Sequence, residues 1–175
     1  MDKISCYDYH FVQNFKPEQS DDWELKKLFA FKSSKNHRKY LVWVEKYSSN
    51  VYIIKFHLKS HTNSKTKYNI MTNLFEARPI VNTCMFILYD IAQDDENSSF
   101  GFIGARMENE GRANTKRYRF YSRITSTYFS EQKFTHYYNE ENSTYLLLRN
   151  TVLEANPNLV NDIQNSFSEI YENII

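Results

Sequence analysis

The stretch Ser99-Phe-Gly-Phe-Ile-Gly-Ala105 and the nearby stretch Asn114-Thr-Lys-Arg-Tyr-Arg-Phe-Tyr-Ser-Arg123 decide how this chain is organised. All three glycines of the chain lie in or between these stretches, namely Gly101, Gly104 and Gly111. Glycine allows close backbone approach and positive φ, so the chain needs that freedom most in this span. The pattern predicts a strand over 100–105 and, after a linker, a basic and aromatic helix over 114–127.

Hydrophobic periodicity predicts the elements on either side of this span. Residues 40–47 carry apolar groups on both faces and indicate a buried strand. Residues 51–59 alternate as a half-buried strand, with Lys55, His57 and Lys59 on the outward side. The other expected elements are a strand over 68–72, a helix that begins at Pro79, a hairpin over 134–138 and 143–149, and a last helix over 157–175.

This order of elements predicts a single α+β domain over 1–175, with a curved, mainly antiparallel sheet flanked by helices. Residues 1–32 form an irregular N-terminal part in this interpretation, with short strands over 7–11 and 28–31 and a short helix over 17–27. The 14 tyrosines and 13 phenylalanines indicate a core built largely from rings. The expected core residues are Trp43, Ile54, Phe56, Met85, Phe102 and Phe120.

The net charge of +1 conceals a strong asymmetry. Between 26 and 67, ten lysines and one arginine face a single acid, Glu45, which gives a local balance of +10. Between 106 and 123, six arginines and lysines face two glutamates, which gives +4. Segregated positive charge suits an anionic partner. The leading hypothesis is a non-catalytic intracellular module that binds a phosphate-rich partner, either nucleic acid or nucleotide, and two solvated basic faces are the alternative.

The candidate site residues come from both basic segments. In the helix over 114–127, Asn114 is expected to be the N-cap, and three bases at i, i+3 and i+7 share one outward face. Arg117 lies at the edge of the apolar stripe, where a structural ion pair is the alternative to a ligand contact. The predicted anion- or nucleic-acid-binding residues are Lys55, His57, Lys59, Arg112, Lys116, Arg117, Arg119 and Arg123.

Several classes of protein are not indicated by the sequence. No segment approaches the roughly 20 apolar residues of a membrane helix, so we expect no membrane partner and a cytoplasmic location. Cys6 and Cys84 are too few for a disulfide framework. The five histidines show no metal-binding spacing, and no catalytic motif of high specificity is present. The sequence therefore predicts no metal and no cofactor.

The order of elements over 40–149 resembles the Gcn5-related N-acetyltransferase fold. That family opens a helix with Asn-x-x-Ala-x-x-(Leu/Phe)-Tyr, and Asn114, Phe120 and Tyr121 stand at the matching places. The resemblance implies an acyl-CoA-dependent N-acyltransferase in which Asn114 contacts the pantetheine arm of CoA and Tyr121 is the general acid. Arg117 stands at the place of the small residue, and 73–79 contains no glycine where the family has a glycine-rich pyrophosphate turn.

A second resemblance concerns the segment Thr115-Lys-Arg-Tyr-Arg-Phe-Tyr121. It is similar to a helix in uncharacterised small bacterial proteins, in which Thr-(Lys/Arg)-Arg-x-Arg-x-Tyr follows a strand that contains Gly-(Ala/Ser). This resemblance implies no activity. A protein-interaction or defence-associated component is accordingly the third functional hypothesis.

Overall fold

Within residues 5–68, 76–107 and 109–170, which the computed structural model describes, seven strands form one open sheet. The strands are β1 (Tyr9–Phe15), β2 (Leu25–Lys32), β3 (Lys39–Tyr47), β4 (Val51–Leu58), β5 (Ser99–Ile103), β6 (Phe134–Asn139) and β7 (Thr144–Arg149). Their order across the sheet is β1-β2-β3-β4-β5-β7-β6. Every neighbouring pair is antiparallel except β4 and β5, which are parallel.

Four α-helices pack on the sheet in this part of the chain. They are α1 (Ala77–Asp94), α2 (Lys116–Tyr128), α3 (Asn150–Ala155) and α4 (Leu159–Ile170). Together with the sheet, they confirm the predicted single α+β domain with a mainly antiparallel sheet and flanking helices. The predicted hairpin near the C-terminus is confirmed as β6 and β7, and the last helix as α4, whose predicted extension over 171–175 lies outside the described residues.

The N-terminal region differs from the prediction. We expected an irregular part over 1–32 with a helix over 17–27, yet β1 and β2 form an antiparallel hairpin. Residues 25–27 belong to β2, which pairs with β3 along its whole length from Leu25 to Lys32. This long pairing satisfies the backbone of 25–27 in the sheet, so the helical preference suggested by the charged residues is overridden.

Of the expected strand over 68–72, the structure describes only the first residue. Tyr68 lies in a turn, and 69–72 fall outside the described residues. Between β4 and this turn, residues 59–61 form a short 3₁₀ helix.

The two faces of the sheet build separate hydrophobic clusters. One face packs against α1 and α2 and contains Val42, Tyr52, Phe100 and Tyr145. The opposite face packs against α4 through a smaller cluster that contains Val51, Ile53, Leu146, Leu159, Ile163 and Phe167. Alternate side chains of β4 therefore enter different clusters, which is the period-two pattern of a strand buried on both sides.

Three of the six expected core residues are buried and three are not. Ile54, Met85 and Phe102 are buried. Trp43, Phe56 and Phe120 are only partly buried. Phe56 and Phe120 pack at the margin of the cluster under α1 and α2. The partial exposure of Phe56 follows from an opening in the sheet beside it.

That opening arises because β4 and β5 pair over only three residues. Val51, Tyr52 and Ile53 lie opposite Ser99, Phe100 and Gly101, and the two strands have no further paired residues beyond that point. β4 continues to Leu58 along β3, and β5 continues to Ile103 along β7. The parts of β4 after Ile53 and of β5 after Gly101 are therefore not paired with each other.

Gly104 fixes the position of α2 beside this opening. A Cβ atom at Gly104 would lie 2.6 Å from both the backbone nitrogen and the Cβ of Tyr118. Only a residue without a side chain allows this approach of the first turn of α2. The glycine-rich span of the sequence therefore brings α2 against the end of β5, as its composition indicated.

Candidate anion-binding cleft

The opening between the ends of β4 and β5 is a cleft with a cavity of about 100 Å³. Residues 54–58 of β4 form one wall, and Phe102, Ile103 and Ala105 form the other. Cys84 and Met85 reach it from α1, and Arg117 and Tyr121 reach it from α2. The remaining lining comes mainly from the segment after β4, through His61, Lys67 and Tyr68. The two basic segments of the sequence meet at this place.

Apart from Cys84, the described polar side chains that line the cleft are basic or aromatic. Lys55, Lys67 and Arg117 supply three cations, and His57 and His61 supply two imidazoles. Among the described residues that line the cleft there is no aspartate or glutamate. A concave surface with one sign of charge and low-dielectric walls concentrates the field inside it. The cleft is therefore electrostatically suited to an anion.

Tyr68 is the residue around which these cations gather. The Arg117 Nη1 donates a hydrogen bond of 2.6 Å to the backbone carbonyl of Tyr68. The ammonium groups of Lys67 and Lys55 lie 5.3 Å and 6.0 Å from the centre of its ring. The ring of His57 meets the same ring edge-on at 5.4 Å between centroids. This hydrogen bond helps to hold the Arg117 guanidinium at the cleft.

Lys55 is held by an ion pair with Glu45 of β3. Its Nζ lies 2.7 Å from Glu45 Oε2, and Lys26 Nζ lies 3.0 Å from Glu45 Oε1. Burial pushes the pKa of Glu45 upward, but Lys55 and the hydroxyl of Tyr47 outweigh it and hold the pKa below its usual value. Lys55 therefore lines the cleft with a charge that Glu45 already compensates in part.

His57 does not lie on an outward basic stripe, as the alternation of β4 had suggested. Its side chain is only 3% exposed. The Trp43 Nε1 donates to His57 Nε2 at 3.1 Å, and His57 Nδ1 lies 2.8 Å from the carbonyl of Leu58. These contacts assign the neutral tautomer with its proton on Nδ1. Burial lowers the pKa of His57, so this residue shapes the wall and leaves anion binding to its neighbours.

The N-terminus of α2 also differs from the prediction. The N-cap is Thr115, whose Oγ1 accepts from the Tyr118 amide at 3.1 Å and donates to the Gly104 carbonyl at 2.7 Å. Asn114 precedes it with a φ of 48°, a left-handed conformation that asparagine tolerates better than threonine. Asn114 was therefore wrongly predicted as the N-cap. It is not among the residues that line the cleft.

The carboxylate of Glu110 accepts a hydrogen bond from the first backbone amide of α2. Glu110 accepts from the amides of Met107 at 3.0 Å and Lys116 at 2.7 Å. Burial raises the pKa of Glu110, but these two amide hydrogen bonds outweigh it and hold the pKa below its usual value. The first amide of α2 is thus bonded within the protein, and the cleft is the better location for an external anion.

The other predicted site residues lie apart from the cleft lining. Lys116, Arg119 and Arg123 are exposed at the i, i+3 and i+7 positions of α2, on a face turned away from Arg117. Arg112 is exposed and donates to Asn142 Oδ1 at 2.6 Å. Lys59 is exposed in the 3₁₀ helix after β4. Only Lys55, His57 and Arg117 of the eight predicted binding residues line the cleft, together with Tyr121.

Tyr121 and Cys84 are the titratable groups on the floor of the cleft. The Tyr121 ring contacts Phe102 edge-on at 5.4 Å between centroids. Burial raises the pKa of the Tyr121 hydroxyl and of the Cys84 thiol. Both groups are therefore protonated at neutral pH. Sequence reasoning missed His61, Lys67 and Tyr68, although the basic segment 26–67 contains the first two and Tyr68 follows it directly.

Comparisons with known proteins identify no relative of this chain. No protein-family model matches the chain, and neither curated proteins nor solved structures give a match. In residues 5–68, 76–107 and 109–170, no helix is both long and apolar enough to cross a membrane. We therefore infer a function from the residues of this chain alone.

Proposed function

We propose that this protein is a non-catalytic cytoplasmic module that binds a phosphate-bearing ligand, a nucleotide or the end of a nucleic acid strand, in the cleft between β4 and β5. The observation that carries the proposal is the charge of the lining, in which the described residues include Lys55, Lys67 and Arg117 but no aspartate or glutamate. Phosphate oxygens take charge-assisted hydrogen bonds from guanidinium and ammonium groups, and these are stronger than neutral ones.

The interior of the cleft suits the body of such a ligand. Phe56, Tyr68, Phe102 and Tyr121 contribute rings to a lining that is mostly apolar. Aromatic side chains accept bases by stacking, which contributes about 1–3 kcal/mol per base. The phosphate would lie near Lys67 and Arg117, with the planar group directed toward the rings.

The chemistry of the lining favours binding over catalysis. His57 uses both ring nitrogens in internal contacts, so it is not poised as a general base. Tyr121 and Cys84 hold their protons because burial raises their pKa values. A general base must accept a proton near neutral pH; the described lining residues supply no carboxylate for that role, and His61 is the one further imidazole among them.

A longer nucleic acid could extend from the cleft along α2. Lys116, Arg119 and Arg123 form an exposed basic face on that helix, and such faces follow phosphate backbones without reading sequence. Two variants test the two parts of this proposal, the cleft and the face of α2, separately. Lys67→Ala should weaken binding of both a mononucleotide and a short single strand, while Arg123→Ala should weaken binding of the strand alone.

The direct test is a titration of the protein with labelled mononucleotides and with single-stranded DNA and RNA over a range of salt concentrations. Phosphate contacts predict binding that is tightest at low salt and weakens as salt is raised. Lys133→Ala, which removes an exposed lysine outside the cleft, is the matched control and should bind like the parent. Absence of binding at low salt to every one of these ligands would refute the proposal.

Acyl transfer is the second candidate, because Tyr121, the general acid that the resemblance to the acetyltransferase fold implies, lines the cleft. The pyrophosphate of CoA would require free amides at the N-terminus of α1. Glu76 stands at the N-cap there, and its buried carboxylate accepts from Tyr7 and Ser33 at 2.5 Å. Pro79 removes one further amide from the first turn. These described residues do not fit a pyrophosphate.

A thermal melt separates this second candidate from the first. A ligand that binds the native state raises the melting temperature by mass action. We expect a nucleotide to raise it and acetyl-CoA to raise it no more than its own adenosine phosphate portion does. A larger shift with acetyl-CoA, abolished in Tyr121→Phe, would favour acyl transfer instead.

A further inference from the structure

β1 is an edge strand that exposes two large apolar residues, Phe11 and Val12, next to polar ones. It is the first strand of the sheet, and among the strands that the structure describes β2 is its one neighbour. The five residues from His10 to Asn14 are all exposed, with Phe11 at 51% and Val12 at 43%. No residue of Tyr9–Phe15 carries a charge, although charged residues make up 25% of the chain. Natural sheets usually protect such edges with lysine, proline or a covering element.

The β-bulge in β1 does not supply that protection. The register against β2 shifts between Phe11 and Gln13, so Val12 is the extra residue of the bulge. A bulge can twist an edge away from further pairing. Here, however, the extra residue is an exposed valine, and an apolar side chain gains from contact with another surface.

The residues at the two ends of β1 have opposite charges. Asp8 and Lys16 are both exposed and flank the strand directly. If two copies pair antiparallel about a two-fold axis at Val12, Asp8 of each copy lies opposite Lys16 of the other. Phe11 then lies opposite Gln13, and no like charges face each other along the ladder. Opposite charges on facing positions stabilise a strand pair, and like charges destabilise it.

We propose that a second copy of this chain pairs with β1 and that the protein forms a two-fold dimer with one continuous sheet. The unpaired outer amides and carbonyls of β1 supply the ladder, Phe11 and Val12 supply the apolar contact, and Asp8 and Lys16 set the register. A two-fold interface uses the same patch on both copies, which is what this self-complementary segment provides. The dimer leaves the cleft between β4 and β5 open, since two strands separate it from β1.

The strand at the opposite edge of the sheet, β6, is less suited to such a dimer. Its ends, Lys133 and Glu140, also have opposite charges, so charge alone does not choose between the edges. Exposure does, because Phe134 is buried and Tyr138 is the only large apolar residue of β6 that is strongly exposed. Tyr138→Lys is therefore the matched control for a substitution in β1.

Sedimentation velocity of the full chain over a wide range of concentrations tests the proposal. The parent should shift from monomer to dimer as concentration rises. Val12→Lys places two like charges at the two-fold axis and should leave only monomer, while Tyr138→Lys should dimerise like the parent. Circular dichroism and thermal melting verify that both variants are folded. A parent that stays monomeric, or a dimer lost in Tyr138→Lys and kept in Val12→Lys, would overturn the proposal.

A charge exchange tests the register separately. Asp8→Lys alone and Lys16→Asp alone each place like charges opposite each other, so each should weaken the dimer by several-fold or more. The double variant Asp8→Lys with Lys16→Asp restores opposite charges and should restore dimerisation toward the parental level. Raising the salt concentration should reduce the difference between single and double variants, because exposed charges are screened. Failure of the double variant to recover contradicts this register.

Discussion

Arg117 donates a 2.6 Å hydrogen bond from Nη1 to the backbone carbonyl of Tyr68, and this contact joins the two basic segments of the chain across the cleft. Arg117 lies on α2, whereas Tyr68 directly follows the basic segment 26–67. The hydrogen bond orients the guanidinium, and the Lys67 ammonium lies over the ring of Tyr68. A cation positioned in this way can bind a phosphate with little further loss of side-chain entropy.

Arg117→Ala should weaken ligand binding more than it weakens the fold. We expect about tenfold lower affinity for a nucleotide, equivalent to ~1.4 kcal/mol. The lost hydrogen bond to Tyr68 should lower the free energy of unfolding by about 1 kcal/mol. Titration and urea denaturation of the same variant measure both quantities. Arg117→Lys keeps the charge and should recover part of the affinity, whereas unchanged affinity in Arg117→Ala would place the ligand elsewhere.

Glu45→Gln should change stability and binding in opposite directions. It leaves Lys26 and Lys55 without the carboxylate between them, and the pair is partly exposed, so we expect a loss of about 2 kcal/mol of stability. The same change raises the positive potential beside the cleft, so nucleotide affinity should rise by roughly two- to fivefold at low salt. Denaturation and titration at two salt concentrations test this. Weaker nucleotide binding by the folded variant would argue against anion binding in the cleft.

Gly104→Ala should destabilise the protein strongly. The added methyl group would lie 2.6 Å from the Tyr118 backbone, so α2 would have to move, and we expect a cost of about 3 kcal/mol. Gly111→Ala is the control, because a Cβ there meets no atom within 4 Å and the residue does not have a positive φ. That variant should be neutral or slightly stabilised, by about 0.4–1 kcal/mol. Equal stabilities of the two variants in urea would show that α2 does not pack as described.

The stability of the protein should fall as the pH drops below about 6.5, partly through His57. Burial lowers the pKa of His57 from its usual 6.5 in the folded protein, so the unfolded chain binds its proton first. The contribution of His57 is therefore complete above pH 6.5 and is lost as the pH falls toward the lower folded pKa. His57→Gln keeps an acceptor for Trp43 without titrating, and its urea midpoint should depend less on pH.

Much of the fold follows from local pattern, but the burial of particular residues does not. The alternation of β4 identified the strand, because a period of two is a property of the segment itself. It placed His57 outside, because the sequence does not show that Trp43 and Tyr68 would cover that position. Such a cover depends on pairing with β3 and on the path of the chain after β4, which are non-local.

Only part of the candidate site could be predicted from the sequence, for the same reason. The two basic segments were apparent from charge counting, and Arg117 was singled out at the edge of its helix. That they meet at a cleft depends on where the pairing of β4 with β5 stops, which no local signal encodes. Thr115 and Asn114 are both good N-cap residues, and the choice between them depends on the carbonyl of Gly104, which the Thr115 hydroxyl reaches.

Chemical-shift mapping by two-dimensional NMR with an adenine nucleotide tests the central claim most directly. Our account predicts saturable shifts centred on Lys67, Tyr68 and Arg117, with smaller changes at Tyr121, and loss of these shifts in Arg117→Ala. Inorganic phosphate at higher concentration should perturb the same basic residues without affecting Tyr121. Shifts confined to the outward face of α2, at Lys116, Arg119 and Arg123, or no shifts at low salt, would contradict a phosphate-binding cleft between β4 and β5.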